Sequence, residues 1–253
     1  MNDAPDCTLR DATARDLPAL QALLGHAPAW PLPAGQRLLL AADATGQPVA
    51  TLRLCPGTGL AAPRYWYHVG CAVHAAAELQ LFRRQPTLLL GNDLTGATEL
   101  LDLAMAADAG AAMTALVRHA IAAAAELVIN TDTNTAKPGP MTVFAELPGA
   151  LDGSGASPFW AGLGRHFYTG DPRAAAARHG DAWRSHVAAL LPRQLVYTSF
   201  LPDDAQAVIG AAAPQTLALR TALARAGLQY RQHVRIDDAG PVLECTLAPG
   251  AAG

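Results

Sequence analysis

Lysine, aromatic side chains, charge and long apolar runs are all scarce in this 253-residue sequence. Lys137 is the single lysine, so arginine supplies the other 17 of the 18 basic residues. Charged residues make up 15%, against roughly 25% in an ordinary soluble domain. No apolar run approaches the roughly 18–20 residues of a membrane helix. The net charge is −3 and the arginines are scattered, so we expect neither nucleic acid nor a membrane as a partner.

Cysteine is also rare, and its spacing excludes two classes of protein. Cys7, Cys55, Cys71 and Cys245 lie far apart and lack the paired spacing of a zinc site. Four cysteines in a chain of this length do not indicate a disulfide scaffold either. The N-terminal stretch Met1–Asp6 is acidic and does not have the pattern of a secretory signal. We therefore expect a cytoplasmic protein with reduced cysteines and no metal.

Alanine, in contrast, is abundant, with 56 residues. A GC-rich genome is one explanation of this excess, because alanine and arginine both have GC-rich codons. The chain is long enough for a sizeable core. We predict that residues 1–253 form a single domain, with two packed lobes dividing near residues 148–157 as the alternative.

Hydrophobic periodicity and turn residues predict strands and helices that alternate irregularly. Strands are predicted over Arg37–Ala42, Pro48–Leu54, Tyr65–Val73, Thr87–Leu90, Glu99–Met105, Thr142–Ala145, Tyr230–Ile236 and Val242–Thr246. The main predicted helices are Asp11–Leu24, Ala111–Leu127 and Pro214–Ala226, with short ones near Pro158–Leu163, Pro172–Ala177, Ala182–Leu191 and Asp203–Ile209. This order favours an α+β fold with a mixed sheet flanked by helices. There is no glycine-rich dinucleotide fingerprint and no phosphate loop.

A turn of small residues joins the predicted strand Glu99–Met105 to a long alanine-rich helix. Free N–H groups at a helix N-terminus bind anions, and small side chains let a pyrophosphate approach closely. The turn resembles that of the GNAT acyl-CoA transferases, which implies coenzyme contacts at Gly110, Ala111 and Ala112. Ala107 stands where those enzymes usually have a basic or amide residue. An ordinary alanine-rich helix start remains the alternative.

Longer segments resemble the arginine N-succinyltransferase family in family order from about residue 65 to 245. The matching segments are Tyr65–Gly70, Val73–Ala75, Pro86–Leu90, Asn92-Asp93, Thr95-Gly96, Glu99-Leu100, Ser157–Trp160, Leu163-Gly164, Ala205–Gly210, Tyr230-Arg231, Asp238–Pro241 and Leu243–Cys245. The resemblance implies a GNAT-like fold and transfer of a succinyl group from succinyl-CoA, or of a related acyl group from another acyl-CoA. The acceptor would be the α-amine of arginine or of a similar amine. It also implies contact between the acyl-CoA and Leu103.

One position departs from the family in a way that concerns catalysis. The family's proton-donating histidine falls on Ala213. A free α-amine has a pKa of roughly 7.7–8, so part of it is neutral at physiological pH, and slow transfer by proximity and backbone N–H groups remains open. A relocated acid or base is the other route. The candidates are His74 first, then Tyr197 and Cys245, each with a structural role as the alternative.

Three polar residues are candidates for recognising the amine substrate. Asn92, Asp93 and Glu99 could bind an ammonium or guanidinium group, although Asn92 and Asp93 also suit a simple turn. A competing hypothesis is a catalytically inactive homologue that acts as a partner subunit or binds a metabolite. A homo-oligomer or a complex with a paralogous subunit is compatible with either hypothesis.

Overall fold

The computed structural model of the chain describes residues 7–131, 141–180 and 182–247. Within these ranges ten strands form one mixed sheet, flanked by seven α-helices. The strands are β1 (Thr8–Asp11), β2 (Arg37–Ala42), β3 (Pro48–Cys55), β4 (Trp66–Ala76), β5 (Leu81–Gly91), β6 (Thr98–Met105), β7 (Met141–Glu146), β8 (Val196–Tyr197), β9 (Gln229–Val234) and β10 (Pro241–Leu247). The helices are α1 (Leu17–Leu24), α2 (Gly110–Thr131), α3 (Pro158–Gly162), α4 (Pro172–His179), α5 (Ala182–Ala188), α6 (Asp203–Ala207) and α7 (Leu217–Ala226).

The strands lie in the order β1-β2-β3-β6-β7-β10-β9-β4-β5-β8. Every neighbouring pair is antiparallel except β6 and β7, which are parallel. Parallel strands need a crossover connection, and α2 lies in the connection between β6 and β7. The predicted α+β fold with a mixed sheet flanked by helices is confirmed.

Two large groups of buried side chains hold the helices on the sheet. The α2 cluster joins α2 and α7 to strands β2, β3, β6, β7 and β10, and includes Leu39, Leu52, Met113, Leu116, Val143 and Leu223. Alanine is common on the buried side of α2, because small side chains let a helix pack closely on a sheet. The α3–α5 cluster lies towards β4 and β5, and includes Tyr67, Leu90, Phe159, Trp160, Trp183 and Val234. Tyr230 packs against both clusters.

Local capping residues fix one end of each of three helices, α3, α4 and α7. The hydroxyl of Ser157 accepts a hydrogen bond from the backbone N–H of Trp160 at 3.0 Å, which starts α3. The carboxylate of Asp171 accepts a hydrogen bond from the backbone N–H of Arg173 at 2.9 Å, which starts α4. α7 ends at Gly227, where φ is 109°, a conformation that glycine adopts without a steric penalty.

The sequence predicted most elements but not all of their limits. The hairpin of β2 and β3 is confirmed, with Arg37 opposite Leu54. β5 begins at Leu81 rather than at the predicted Thr87, β8 was not predicted, and α2 continues beyond the predicted Leu127 to Thr131. None of the helices in the described ranges combines the length and the apolar character that a membrane crossing requires. The division near residues 148–157 stays a prediction.

Candidate functional site

The two parallel strands, β6 and β7, pair over only two residues each. Thr98 lies opposite Val143, and Glu99 lies opposite Phe144. β6 continues to Met105 with β3 on its other edge. Across the described ranges no strand pairs with the β7-facing edge of β6 beyond Glu99, and we refer to the region beside this unpaired edge as the cleft. Backbone N–H and C=O groups along this edge can therefore pair with an extended ligand that carries amide groups.

A β-bulge lies in the middle of β6, in the wall of this cleft. The register shifts opposite Thr51 and Arg53, and Asp102 has a left-handed backbone conformation with φ 49°. Aspartate tolerates this conformation better than most residues. Arg53 Nε donates to Asp102 Oδ2 at 2.7 Å, and Arg53 Nη1 donates to Gln36 Oε1 at 2.9 Å. Bulges re-aim the backbone beside functional sites, and this one directly precedes Leu103, the predicted coenzyme contact.

α2 begins shortly after β6 ends, with three small residues in its first turn. The first α-helical hydrogen bond at this end runs from Met113 N–H to the carbonyl oxygen of Ala109. The N–H groups of Gly110, Ala111 and Ala112 precede it, and such groups have no partner within a helix. A Cβ at Gly110 would meet no other atom within 4 Å. The first turn thus presents N–H groups with open space beside Gly110, as an anion site requires.

A buried network of charges lies where β6 and β7 meet. Arg64 Nη2 is 3.2 Å from Glu99 Oε1 and 2.8 Å from Glu146 Oε1. The indole N–H of Trp66 donates to Glu146 at 2.7 Å, and Arg184 of α5 donates to the other oxygen of Glu146 at 2.7 Å. The network thus connects both parallel strands to α5.

The same network continues into the turn between β9 and β10. Arg235 forms a bidentate ion pair with Asp237, with distances of 3.2 and 2.6 Å. Arg235 Nε is also 3.0 Å from Asp238 Oδ1, and Arg235 Nη1 is 3.7 Å from Glu146. Arg184 reaches Asp237 at 3.8 Å. Arg184 and Arg235 have only 15% and 16% of their side-chain surface exposed, so these pairs are shielded from solvent.

Two glutamates of the network have opposite pKa shifts. Burial opposes the ionisation of Glu146, but Arg184 and Arg64 outweigh burial and hold the pKa of this carboxyl well below its usual range. Burial, followed by the charge of Glu146, raises the pKa of Glu99 to about 7, against the opposing effect of Arg64. Of the two carboxyls, Glu99 is therefore the one that binds a proton more readily.

A cavity of about 720 Å³ lies beside the network, between the loop after β7 and helices α3 to α5. Arg184, Arg235 and Asp237 line its inner side. Trp160 and Trp183, both buried, form part of its wall. This volume lies within the roughly 300–1,000 Å³ of small-molecule sites.

The structure brings Glu99 to the network but places the other predicted substrate residues elsewhere. Asn92 and Asp93 lie exposed on the turn after β5. Asp93 is 3.5 Å from Nε2 of His233, whose Nδ1 is 2.7 Å from Glu244. The predicted coenzyme contacts lie along β6 and in the first turn of α2, namely Leu103, Gly110, Ala111 and Ala112. Their contact with a coenzyme stays a prediction.

The catalytic candidates lie in three different places. His74 is exposed on the distal part of β4, and its ring centroid is 5.9 Å from that of Tyr197. Cys245 packs against the α2 cluster. Ala213 is 1% exposed, and its N–H donates to the carbonyl oxygen of Pro148, a cavity-lining residue, at 2.8 Å. The position of the family histidine therefore borders the cavity, whereas His74 does not line it.

Sequence reasoning missed most of the charge network. Arg64 and Glu146 are 82 residues apart in sequence, and Arg184 and Glu146 are 38 apart. The one local signal is the acidic turn after Arg235, whose residues Asp238–Pro241 also form one of the segments that resemble the family. No group of three or more His, Cys, Asp or Glu side chains in the described part of the chain could hold a metal ion.

The mixed sheet, the splayed parallel pair, the bulge in β6 and the helix that follows it define a GNAT-like α+β fold. The family model described as "Arginine N-succinyltransferase beta subunit" matches residues 30–249. The chain therefore belongs to the arginine N-succinyltransferase family, which confirms the resemblance seen in the sequence.

Individual relatives agree with this family. Arginine N-succinyltransferases of Salmonella paratyphi B and Salmonella newport are each 35% identical over 223 residues, or 85% of this chain. The chain spans 62% of the length of these relatives. The solved structure of arginine/ornithine succinyltransferase subunit AI from Pseudomonas aeruginosa matches with a TM-score of 0.65 at 23% identity. That match covers 94% of this chain and 76% of the other, and it concerns the fold.

Proposed function

We propose that this protein is an acyl-CoA-dependent N-acyltransferase that transfers a succinyl or related acyl group to the α-amine of arginine or a similar amine. The observation that carries the proposal is the cleft between β6 and β7, in a chain of the arginine N-succinyltransferase family. Because succinyl-CoA is an intracellular metabolite, we also propose a cytoplasmic location.

The cleft suits an acyl-CoA in two respects. The pantetheine arm is extended and carries amide groups, so it can pair with the free edge of β6 as a further strand would. The pyrophosphate can then lie at the first turn of α2, where Gly110, Ala111 and Ala112 offer N–H groups and little steric bulk. In this arrangement the thioester lies towards the closed end of the cleft, near Glu99.

The transfer also requires a proton acceptor for the amine, and Ala213 offers none. Glu99 is the residue at which the pairing of β6 and β7 ends, and its pKa is raised to about 7 by burial and by Glu146. A base with a pKa near the working pH is the most effective one. We therefore assign this role to Glu99, with His74 as the candidate that the sequence favours.

The test is the release of free coenzyme A thiol from succinyl-CoA in the presence of arginine. We expect release by the unaltered protein and a loss of roughly 10²- to 10⁴-fold in Glu99→Gln. A comparable loss in His74→Gln instead would assign the proton transfer to His74. His26→Gln, at an exposed position, serves as the matched control. Absence of thiol release together with absence of coenzyme A binding would contradict the proposal.

An inactive homologue is the second candidate, because Ala213 is buried and carries no titratable group. Such a protein would serve as a partner subunit, in a homo-oligomer or with a paralogous chain, or would bind a metabolite. It would bind coenzyme A or an amine without releasing thiol. Calorimetric titration beside the thiol assay separates this candidate from the enzyme.

A further inference from the structure

We propose that the distal half of the β4–β5 hairpin forms a dimer interface, at which the free edge of β4 pairs with the same edge of a second copy of this chain. We call this half of the hairpin the arm, and it comprises residues 70–76 of β4 and 81–86 of β5. The proposal goes beyond the proposed function, because it concerns assembly and does not depend on the reaction.

The arm is a two-stranded ribbon in the described part of the chain. β4 and β5 pair with each other along their whole length. On the outer side of β4, however, only Tyr67 and His68 pair with β9, and the next residue of β9, Gln232, has a left-handed backbone conformation with φ 71°. On the outer side of β5, only Thr87 and Leu88 pair with β8. Both outer edges of the arm are thus without a partner strand, and a lone ribbon of this kind is marginally stable at best in water.

The two free edges of the arm differ in chemistry. β5 carries Arg83, Arg84 and Pro86 there, and proteins use charge and proline to keep edge strands from pairing. Residues 70–76 of β4 read Gly-Cys-Ala-Val-His-Ala-Ala, with no proline and no Asp, Glu, Lys or Arg. The edge of β4 therefore lacks these protections, which favours β4 over β5 as the strand that pairs.

One face of the arm is apolar and uncovered. Side chains alternate between the two faces of a strand, so Tyr67, Val73 and Ala75 point to the same face. Phe82 lies opposite Ala75 and shares this face. Tyr67 is buried in the α3–α5 cluster, whereas Val73 and Phe82 are 53% and 70% exposed. The helices thus cover this face near Tyr67 and leave it bare in the arm.

A second copy of the chain fits the uncharged edge. Two identical strands related by a two-fold axis run antiparallel, so residues near the axis face their own copies. A charged residue there would meet a like charge, which destabilises a strand pair. The absence of charge from residues 70–76 therefore suits an edge that pairs with itself.

A second copy also fits the bare face and the size of a stable interface. Antiparallel pairing places the arm of one copy beside the proximal part of the partner's hairpin, where helices cover the sheet. Those helices then lie next to Val73 and Phe82. A standard interface takes roughly 20–30 residues from each partner. The 13 residues of the arm supply about half of these, and the surface that receives the partner's arm supplies the others.

Sedimentation analysis of the purified full chain over a range of concentrations tests the proposal, and we expect a dimer. Val73 lies at the centre of residues 70–76, so Val73→Arg should raise the dimer dissociation constant at least roughly a hundredfold by placing like charges across the axis. Thr8→Arg is the matched control, because Thr8 is exposed on β1, at the far end of the sheet. It should leave the constant unchanged. Circular dichroism checks that both variants are folded.

Disulfide cross-linking tests the pairing without an added charge. A two-fold axis places one residue of β4 opposite its own copy, with the Cα atoms about 4.5–5.5 Å apart, a distance that a disulfide bridges. Under mild oxidation by copper phenanthroline, a cross-linked dimer should form at one position among Cys71 itself and single cysteines at Ala72, Val73, His74 and Ala75 in a Cys71→Ser background. Thr8→Cys in the same background should not cross-link.

Two outcomes would overturn the proposal. One is a monomer at every concentration, which would leave the arm to a different chain. The other is a dimer that Val73→Arg leaves intact and that no cysteine of β4 cross-links, because another surface would then join the copies. A dimer that Val73→Arg dissociates and that one cysteine of β4 cross-links would support the proposal, whether or not the protein releases thiol from succinyl-CoA.

Discussion

Glu146 accepts hydrogen bonds from three donors in the buried network, namely Arg64, Arg184 and the indole of Trp66. Glu146→Gln keeps the size of the side chain but removes the charge that balances two buried arginines. Breaking a buried ion pair in this way costs about 3–5 kcal/mol. We therefore expect the free energy of unfolding to fall by about this amount in urea denaturation at pH 7. A loss no larger than that of an exposed substitution would contradict the network.

Glu99 should behave differently, because its native pKa is raised by burial and by Glu146 to about 7. The pKa of glutamate in the unfolded chain is about 4.3. A carboxyl with a higher pKa in the folded state contributes its full stabilisation below about pH 4.3, and this stabilisation is lost as the pH rises through the folded pKa. The unaltered protein should therefore lose stability between about pH 4.5 and 7 through this group. Glu99→Gln cannot titrate, so its stability deficit relative to the unaltered protein should shrink from pH 5 to pH 8. Urea denaturation at the two pH values measures this, and a growing deficit would contradict it.

At the scale of elements, His233 connects β9 to β10 and to the turn after β5. Burial lowers the pKa of His233, but the hydrogen bond to Glu244 and the contact with Asp93 outweigh it and hold the pKa above the ordinary value. The stabilisation is full below the unfolded pKa of about 6.5 and is lost as pH rises through the higher folded pKa. His233→Gln should thus destabilise the protein more at pH 6 than at pH 9 in urea denaturation. His26→Gln, at an exposed position, is the control for the removal of a histidine, and a difference between pH 6 and pH 9 for His233→Gln no larger than for this control would contradict the prediction.

The sequence predicted elements well where local patterns determine them. The hairpin of β2 and β3 has apolar runs on both sides of a short polar turn, and the two strands pair from Arg37 opposite Leu54 to Ala42 opposite Pro48. The first part of β5 was missed because Arg83, Arg84 and Pro86 suggest a loop. Its partner β4 nevertheless pairs with it along the whole length from Leu81 to Gly91. β8 has only two residues, too few for any periodicity.

The candidate site was predictable only in the part formed by consecutive residues. Gly110, Ala111 and Ala112 form one turn, so their small side chains were visible in the sequence. The charge network depends on contacts between β4, β7 and α5 that no local pattern specifies. A buried arginine such as Arg64 has the same sequence signature as an exposed one, because burial is decided by the tertiary fold.

At the scale of the whole molecule, one sheet extends beneath both large core clusters, and Tyr230 packs against both. We therefore predict one cooperative unfolding transition. Far-UV circular dichroism is dominated by helices, of which α2 in the α2 cluster is the longest. Of the four tryptophans, Trp160 and Trp183 lie in the α3–α5 cluster, Trp66 is buried with Phe144 and Trp30 is exposed, so fluorescence reports on regions outside the α2 cluster. The two probes should give coincident curves.

Leu116→Ala weakens only the α2 cluster and so tests whether the two clusters unfold together. Leu116 is fully buried in the α2 cluster, and its truncation should cost about 2–5 kcal/mol. If the chain unfolds as one domain, the fluorescence curve must shift to lower urea by the same amount as the dichroism curve, although none of the four tryptophans belongs to the α2 cluster. Leu79→Ala, at a position 76% exposed, should shift neither curve. A shift confined to dichroism would mean that two lobes unfold separately, because a lobe without the substitution keeps its own stability.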